Sequence, residues 1–330
     1  MSLRIIKPGV LDTIQDAGRY GFRHLGVNPS GAMDKYAMRV ANILVGNEPD
    51  TPVIELHFPA SAFFFEQPAL VAICGSDFFP TVNAEKVPLL QPILVSKFAI
   101  LQFENMKKGA RAYLAIRGGL QLTPWLGSYS TNLKAGAGGL HGRSLQKDDE
   151  IGFRPPEPGF MQLLGKKEFH ILPWKADDTW SNKRSHEIAV LPGSEWDWLA
   201  NESKVKFLEQ RFTVTAQSDR MGYRLSHTAR LKPVKTCEMI SSAVSFGTIQ
   251  LLPDGKLILL MADHQTTGGY PRIAHVISAD HSRVAQMKAG DRIRFTIADQ
   301  QTAEELLVQQ QQHLQQLQHA CTFRLQPYTG

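Results

Sequence analysis

The sequence predicts a mainly β protein made of two duplicated halves, with few helices and one of them at the C-terminus. Three observations carry that expectation. Short runs rich in Val, Ile and Phe are cut at close intervals by Pro, Gly, Asn and Asp, the pattern of strands joined by tight turns. Only two stretches show helical periodicity. A set of short motifs occurs twice, in the same order.

The first helix is expected over 35–45. Asp34 can cap it, and Tyr36, Val40, Ile43 and Leu44 approximate one face. Strands are expected over 69–74, 92–95, 99–103, 112–116, 249–252, 256–261 and 292–297. Between two of these, Pro253-Asp254-Gly255 forms a turn, because proline presets φ and glycine tolerates positive φ. A helix over 303–320 follows near the C-terminus, where Leu306, Leu307, Leu314 and Leu317 draw an apolar stripe through a Gln-rich segment. That pattern reads as a docked or fraying terminal helix, not a functional box.

The repeat begins with Thr13-Ile14-Gln15 leading to Arg19-Tyr20-Gly21-Phe22-Arg23, matched by Thr215-Ala216-Gln217 leading to Arg220-Met221-Gly222-Tyr223-Arg224. Further on, LQKDDEIGF (145–153) is matched by MKAGDRIRF (287–295). Each copy also carries an apolar strand followed by a Gly pair, at 112–119 and 257–269. Duplication of one β-rich unit explains this order; chance similarity of strand–turn patterns is the alternative. Clustered Pro, Lys and Asp over 155–192 mark the joint. The expected domains are therefore 1–165 and 187–300, with a helix and tail over 301–330. Two copies of one unit predict a cleft between them, a favoured place for a ligand.

With 330 residues, 43% of them hydrophobic, the chain is long enough for two cores and too apolar to be disordered. A net charge of +5, carried by scattered residues and pairs such as Lys107-Lys108, does not make a nucleic-acid footprint. Cys74, Cys237 and Cys321 lack the spacing of a zinc knuckle or disulfide framework, which suggests reduced thiols. The N-terminus meets Pro8-Gly9 before an apolar signal segment can form, and the apolar runs fall far short of the ~20 residues that span a bilayer. A soluble cytoplasmic protein is expected.

Four polar clusters stand out. Gln15-Asp16-Ala17-Gly18-Arg19 sets groups able to bind an amide or carboxylate beside glycines that let backbone approach closely. A turn held by an Asp16–Arg19 pair is the plainer reading. Pro29-Ser30-Gly31-Ala32-Met33-Asp34 leads into the first helix, whose N–H groups favour an anion, though the sequence is also an ordinary cap. In Gln217 to Arg224, Arg220, Tyr223 and Arg224 suit recognition of a carboxylate or phosphate; a local salt-bridged turn competes. Asp263 to Pro271 follows an apolar strand and puts Asp263, Gln265, Thr266, Gly268, Gly269 and Tyr270 at a strand end, a richer polar set than turn chemistry needs. If Asp263 takes part in the chemistry, Asp263→Asn is expected to cost roughly 100-fold or more in rate and to leave thermal stability almost unchanged, since Asn keeps size and much of the capping ability; an unstable variant would make Asp263 structural.

Several common chemistries are missing. There is no P-loop, Gly136-Ala137-Gly138-Gly139 is not a dinucleotide fingerprint, and no His-Glu-x-x-His or Gly-x-Ser-x-Gly occurs. No metal site is expected.

Taken together, the motifs resemble the KipA / PxpC family, also called allophanate hydrolase subunit 2-like or biotin-dependent carboxyltransferase-like proteins. The matching stretches are PGVLDTIQDAGRYGFRHLGVNPSGAMD (8–34), ANILVGN (41–47), AIRGG (115–119), LGSYST (126–131), QSDRMGYRL (217–225), FGTIQLLPDG (246–255) and ADHQTTGGYPRIA (262–274). Asn28 stands where a Pro is usual, and His264 where an Arg is usual. The resemblance implies two cyclophilin-like β-barrel domains and work in a complex with a KipI/PxpB-like subunit and a PxpA-like subunit. The implied activity is ATP-dependent 5-oxoprolinase, with ATP bound by or shared with a partner. Two alternatives are the carboxyltransferase component of a urea or amide carboxylase and a non-enzymatic antagonist of a KipI-like kinase inhibitor. Biotin would have to come from another chain, because Met106-Lys107-Lys108 is not a carrier hairpin. Under this reading Asp263, Gln265, Gln15 and Asp16 are candidate catalytic residues. Arg19, Ser30, Arg220, Tyr223, Arg224, Thr266, Gly268, Gly269 and Tyr270 are candidate substrate contacts, with the first cluster facing the others across the cleft.

Overall fold

The structure, a computed structural model, describes residues 2–177, 187–228, 230–234 and 239–329. The chain is mostly β and divides into two compact units that are not contiguous in sequence. The first comprises 1–19, 34–181 and 311–330; the second comprises 20–33 and 182–310. Residues 20–33, assigned by continuity to the first expected domain, thus belong with the second unit, and the C-terminal helix is divided between the two rather than forming a part of its own.

In the first unit the strands form a seven-stranded and a six-stranded sheet, antiparallel in every pairing that involves their named strands. One core fills the space between them. Leu3, Ile5, Phe63 and Phe65 come from one sheet, and Ile54, Leu56, Val71, Ile73, Ile93 and Leu114 from the other. These residues sit at alternate positions of their strands, as a period of two requires for one buried face. Each is worth roughly 1.5–3 kcal/mol on burial.

The expected first helix is present as Lys35–Leu44, with the Asp34 side chain accepting the Ala37 N–H at 2.9 Å. Its N-terminus is tied into a buried polar chain. The Tyr113 hydroxyl donates to Glu55 at 2.9 Å and accepts the Asp34 N–H at 2.7 Å. Burial first, then the Glu55 charge, holds the Tyr113 hydroxyl well above its usual pKa. Asp12 is also fully buried, accepting the N–H groups of His57 at 2.7 Å and Ser61 at 2.6 Å. Desolvation outweighs those bonds and raises its pKa to about 6.

The second unit is a closed barrel of seven strands: Glu187–Pro192, Arg272–Val276, Thr248–Leu251, Leu257–Leu260, Gly222–Ser226, Phe212–Val214 and Arg292–Ile297. Parallel pairing of Glu187–Pro192 with Arg292–Ile297 closes it. The expected turn at Pro253-Asp254-Gly255 joins two neighbours, with Gly255 at φ 78°. Phe207, from helix Asn201–Glu209, stacks on Phe295 at 5.0 Å, and Met33 of the early segment packs into the same core.

The repeat is visible in the turns. Asp149 and Asp291 accept the N–H three residues earlier, from Gln146 at 2.7 Å and Lys288 at 2.9 Å, before the matching strands Glu150–Phe153 and Arg292–Ile297. The C-terminal helix is longer than expected, Gln300–Thr329, and buries Leu314, Cys321 and Leu325. Of the cysteines, Cys74 and Cys321 are buried, with burial pushing the Cys321 thiol up to about 11, and Cys237 lies outside the described residues. The joint expected over 155–192 contains helix Pro158–Leu164 and strand Phe169–Ile171; its residues 178–186 lie outside the described residues. Among the described residues no helix is long and apolar enough to cross a membrane.

Candidate functional site

Strand pairing in the second unit builds the site. Gly222–Ser226 runs antiparallel to Leu257–Leu260 with Gly222 opposite Leu260. Arg220, just before the first strand, and Asp263, just after the second, therefore emerge together at one end of the barrel. The backbone ladder continues to them, with Met261 N–H on Met221 O at 3.0 Å and Asp263 N–H on Arg220 O at 2.8 Å. The side chains then pair: Arg220 Nε donates to Asp263 Oδ2 at 2.8 Å and Nη2 to Oδ1 at 3.3 Å. Their side chains are only 5% and 13% exposed.

The early segment 20–33 completes the cluster. Ser30 Oγ donates to Asp263 Oδ1 at 2.7 Å, Gly31 O accepts from Arg220 Nη2 at 2.6 Å, and Asn28 Nδ2 donates to Asp263 O at 2.9 Å. Ser30 and Gly31 have φ of 55° and 100°, successive left-handed residues that turn the Ser30 hydroxyl and the Gly31 carbonyl toward the same ion pair. Arg23 ties this segment to the far side of the rim by donating to Val244 O and Thr266 O.

That far side is the loop after Asp263. Gly268 pairs with Ser242 in a short two-stranded ladder. A Cβ at Gly268 would stand 2.5 Å from Gln250 Nε2, so a larger residue there would push that amide aside. Gln250 Nε2 reaches Tyr270 O at 3.4 Å, and Gln265 Nε2 reaches Gln250 Oε1 at 3.5 Å. Gln265 and Thr266 are half-buried, while Gly269 and Tyr270 are exposed. His264 is 2% exposed with Nδ1 2.6 Å from Gln265 O, which fixes Nδ1 as the protonated nitrogen.

The structure thus brings Ser30, Arg220 and Asp263 together, with Gln265, Thr266, Gly268, Gly269 and Tyr270 on the adjoining loop. It does not join Tyr223 and Arg224 to Arg220 as one anion clamp. Both lie in strand Gly222–Ser226, where successive side chains point to opposite faces. Tyr223 is in the barrel core with its hydroxyl on Met287 O at 3.1 Å, and Arg224 is exposed on the outer face. Nor is Asp263 a simple cap: three donors to its carboxylate, two of them from a nearly buried guanidinium, make it the counter-charge of Arg220. This geometry predicts instead that Asp263→Asn, which removes that charge, costs stability.

Gln15, Asp16 and Arg19 lie in the first unit, all buried, around the loop 125–131. Asp16 accepts from the hydroxyls of Ser128 and Ser130 and from the N–H groups of Tyr129 at 2.6 Å and Gly18 at 2.8 Å. Arg19 donates to Trp125 O at 3.1 Å and Ser130 O at 2.8 Å and lies 4.2 Å over the Trp125 ring. Gln15 Nε2 donates to Thr13 Oγ1 and Thr131 O. In place of a local Asp16–Arg19 turn, these bonds fasten the Gln15 to Arg19 stretch to a loop more than a hundred residues on. Sequence reasoning missed Trp125, Ser128 and Ser130 here, and Arg23 and Gln250 in the second unit. All but Trp125, which adjoins one, fall in the matched motif stretches, the one signal that could have found them. Among the described residues no group of three or more His, Cys, Asp or Glu is placed to hold a metal.

Comparison with known proteins gives three findings. Residues 25–297 match the family model for the carboxyltransferase domain, subdomain A and B. The chain is 34% identical over 96% of its length to a 5-oxoprolinase subunit of Escherichia coli, covering 97% of that protein, and 36% identical over 92% to the same-named protein of Haemophilus influenzae, covering 94%. It is 30% identical over 92% of its length to urea amidolyase of Saccharomyces cerevisiae, covering 17% of it. Among solved structures, that of Kluyveromyces lactis urea amidolyase superposes with a TM-score of 0.83 at 26% identity, over 96% of this chain and 20% of that one.

Proposed function

The chain belongs to the carboxyltransferase-domain family, subdomain A and B, and from that premise we propose that it is a subunit of a cytoplasmic ATP-dependent 5-oxoprolinase. The reaction is opening of the lactam of 5-oxo-L-proline to L-glutamate, working with KipI/PxpB-like and PxpA-like subunits. The observation that carries this reading is end-to-end likeness to one 5-oxoprolinase subunit in two bacteria, against a match to about a sixth of urea amidolyase. One water adds across the lactam C–N bond, the ring nitrogen takes a proton and leaves as the amine, and a second water is consumed as ATP becomes ADP and phosphate.

The donor set of the second unit does not fit a nucleotide triphosphate. Its buried guanidinium, Arg220, is taken up by Asp263 and Gly31 O, and Arg224 points away on the outer face. ATP is therefore kept off this cluster, bound by or shared with a partner subunit in this reading, and no step is routed through it here. What this chain's rim suits is a small amide. The half-buried side-chain amide of Gln265 supplies a donor and an acceptor, while the Ser30 hydrogen is committed to Asp263. The Arg220–Asp263 pair holds the Ser30 loop in place without leaving net charge beside the uncharged ring amide of the substrate. In this reading Asp263 is a positioning residue.

The test is reconstitution. The purified chain alone is expected to release no glutamate from 5-oxoproline and ATP, and addition of both partner subunits is expected to start turnover. Robust activity of the single chain refutes the multi-subunit reading. Urea-dependent carboxylation with a biotin carboxylase and carrier chain, but no lactam opening, moves the assignment to the urea carboxylase side. Complex formation with a KipI-like partner and no turnover of either kind makes it an antagonist.

A further inference from the structure

Gln250 is an unusual residue for its place on the barrel. In strand Thr248–Leu251 the side chains of Ile249 and Leu251 enter the core, so alternation puts Gln250 on the outer face, yet it is only 1% exposed. The loop after Asp263 covers it. Pairing with Arg272–Val276 slips by one residue between Ile249 and Gln250, and Gly268 lies across the amide. The Cβ that would stand 2.5 Å from Gln250 Nε2 would also stand 3.4 Å from Gln265 Nε2, so one glycine lies against both side-chain amides.

Their contacts give both amides a direction. Gln250 Nε2 faces the Tyr270 carbonyl at 3.4 Å, a group that can only accept, so Gln250 Oε1 is turned the other way, to Gln265. Gln265 meets it with Nε2 at 3.5 Å. Both distances are long for hydrogen bonds, and the orientation is selected by what reversal would do: turning either amide round sets oxygen against oxygen. The main chain beside Gln265 is fixed separately. His264 Nδ1 donates to Gln265 O at 2.6 Å, and Thr266 O accepts from the Val244 N–H and from Arg23. One Nε2 hydrogen of Gln265 is thus given to Gln250, and the other hydrogen and Oε1 are left on a half-buried side chain.

We propose that Gln265 reads the cis edge of the substrate's amide, and that Gln250 is the positioning residue that turns Gln265 to do so. In a lactam the ring holds N–H and C=O on the same side. A primary amide also carries a hydrogen and its oxygen on one side, so the two edges pair through two bonds, lactam N–H to Oε1 and Nε2–H to the lactam oxygen. An open-chain secondary amide is trans and offers only one of these groups at a time, and a lactone has no hydrogen to give. This inference rests on the small-amide reading of the rim and adds its selectivity: cis amides over trans amides and esters.

The probes are 2-pyrrolidinone, γ-butyrolactone and N-methylacetamide, each titrated into the full ¹⁵N-labelled, deuterated chain. Binding is followed at the Gln265 side-chain amide and at the Gly268 and Gly269 N–H groups. Saturable shifts are expected with 2-pyrrolidinone, and the lactone and open-chain amide are expected to bind about five- to ten-fold more weakly, the effect of one lost hydrogen bond. That comparison needs no variant. Gln265→Met is expected to level the three ligands. Gln250→Met removes both polar atoms that orient Gln265 and is expected to cut the preference for the lactam by about two-fold or more. A residue that only supported the loop would weaken all three ligands alike. The proposal is overturned if 2-pyrrolidinone gives no saturable shift, if the unaltered chain binds the three equally, or if either variant keeps the full preference. Turnover of 5-oxoproline by the reconstituted complex is read apart from this: its absence beside an intact lactam preference refutes the assigned reaction and leaves the cis-amide edge standing, whereas turnover without that preference refutes the edge alone.

Discussion

Asp263→Asn tests the site most directly. The substitution keeps an oxygen that can accept from Ser30 or from Arg220 Nε but removes the charge facing a guanidinium whose side chain is 5% exposed. Breaking a buried pair by removing one partner typically costs about 3–5 kcal/mol, most of it the penalty of the orphaned ion. The 13% exposure of Asp263 and the retained amide oxygen place this case at the lower end, about 3 kcal/mol. At about 2–4 °C per kcal/mol for a unit of this size, the second unit's melting transition falls by about 6–12 °C. Arg220→Met strands the carboxylate and costs a similar amount. The double variant removes both charges and is expected to be more stable than the sum of the singles by at least about 1 kcal/mol. Differential scanning calorimetry on all four proteins reads the cycle. Strict additivity, or an Asp263→Asn transition within a degree of the unaltered chain, refutes the claim that each charge depends on the other. Turnover of the reconstituted complex, measured at a temperature where all four are folded, separates the roles: a positioning residue shows loss mainly in KM, with partial recovery in the double variant.

Asp12 has a pKa of about 6 in the folded protein against 3.8 ordinarily, so the folded chain holds this proton more tightly than the unfolded one. Its contribution to stability is therefore full below about pH 4 and is lost as pH rises through about 6, by about 3 kcal/mol at about 1.4 kcal/mol per pH unit; Asp12→Asn should remove it, read in urea titrations as the change between pH 4 and pH 7 in the variant's stability difference from the unaltered chain. Gly138→Ala drives a Cβ into Ser130 O at φ 71°, and a loss above about 1 kcal/mol is expected, read as a lowered melting temperature of the first unit. Tyr223→Phe deletes the bond to Met287 O inside the barrel and is expected to cost about 1 kcal/mol of stability without changing KM; a raised KM with unchanged stability would return Tyr223 to the substrate contacts. Arg224→Ala, on the outer face, is expected to alter neither.

Much of this was legible in the sequence because it is local. The helix capped by Asp34, the strand at 92–95, the Pro253 to Gly255 turn and the paired Asp149 and Asp291 turns are each decided within about ten residues, where periodicity and turn chemistry act. The split of Tyr223 from Arg224 was also legible, since strand alternation separates neighbours; clustering them by proximity in sequence ignored that period. The Arg220–Asp263 pair spans 43 residues and depends on strand register, which a single sequence does not specify. The buried Asp12 and the Glu55–Tyr113–Asp34 chain looked like ordinary strand and turn residues because their burial is a tertiary property. The bonds from Asn28, Ser30 and Gly31 to a barrel built nearly two hundred residues later had no local signature at all.

That last arrangement bears on how the chain is made. Residues 20–33 leave the ribosome early, yet the groups they bind, Arg220 and Asp263, are synthesised only after some two hundred more residues. At about 5–20 residues per second that is a wait on the order of ten seconds or more. During it Met33, destined for the barrel core, and the Ser30–Gly31 turn exist while the rest of their own unit has yet to be made. The same dependence limits dissection of the gene. A fragment beginning at 187 lacks the Gly31 carbonyl that takes Arg220, the Ser30 hydroxyl that takes Asp263, and a core methionine. A faithful excision of the barrel must therefore carry 20–33 along, by fusion or as a peptide added in trans, and recovery of the fold on adding that peptide would show the early segment acting as a late-arriving staple.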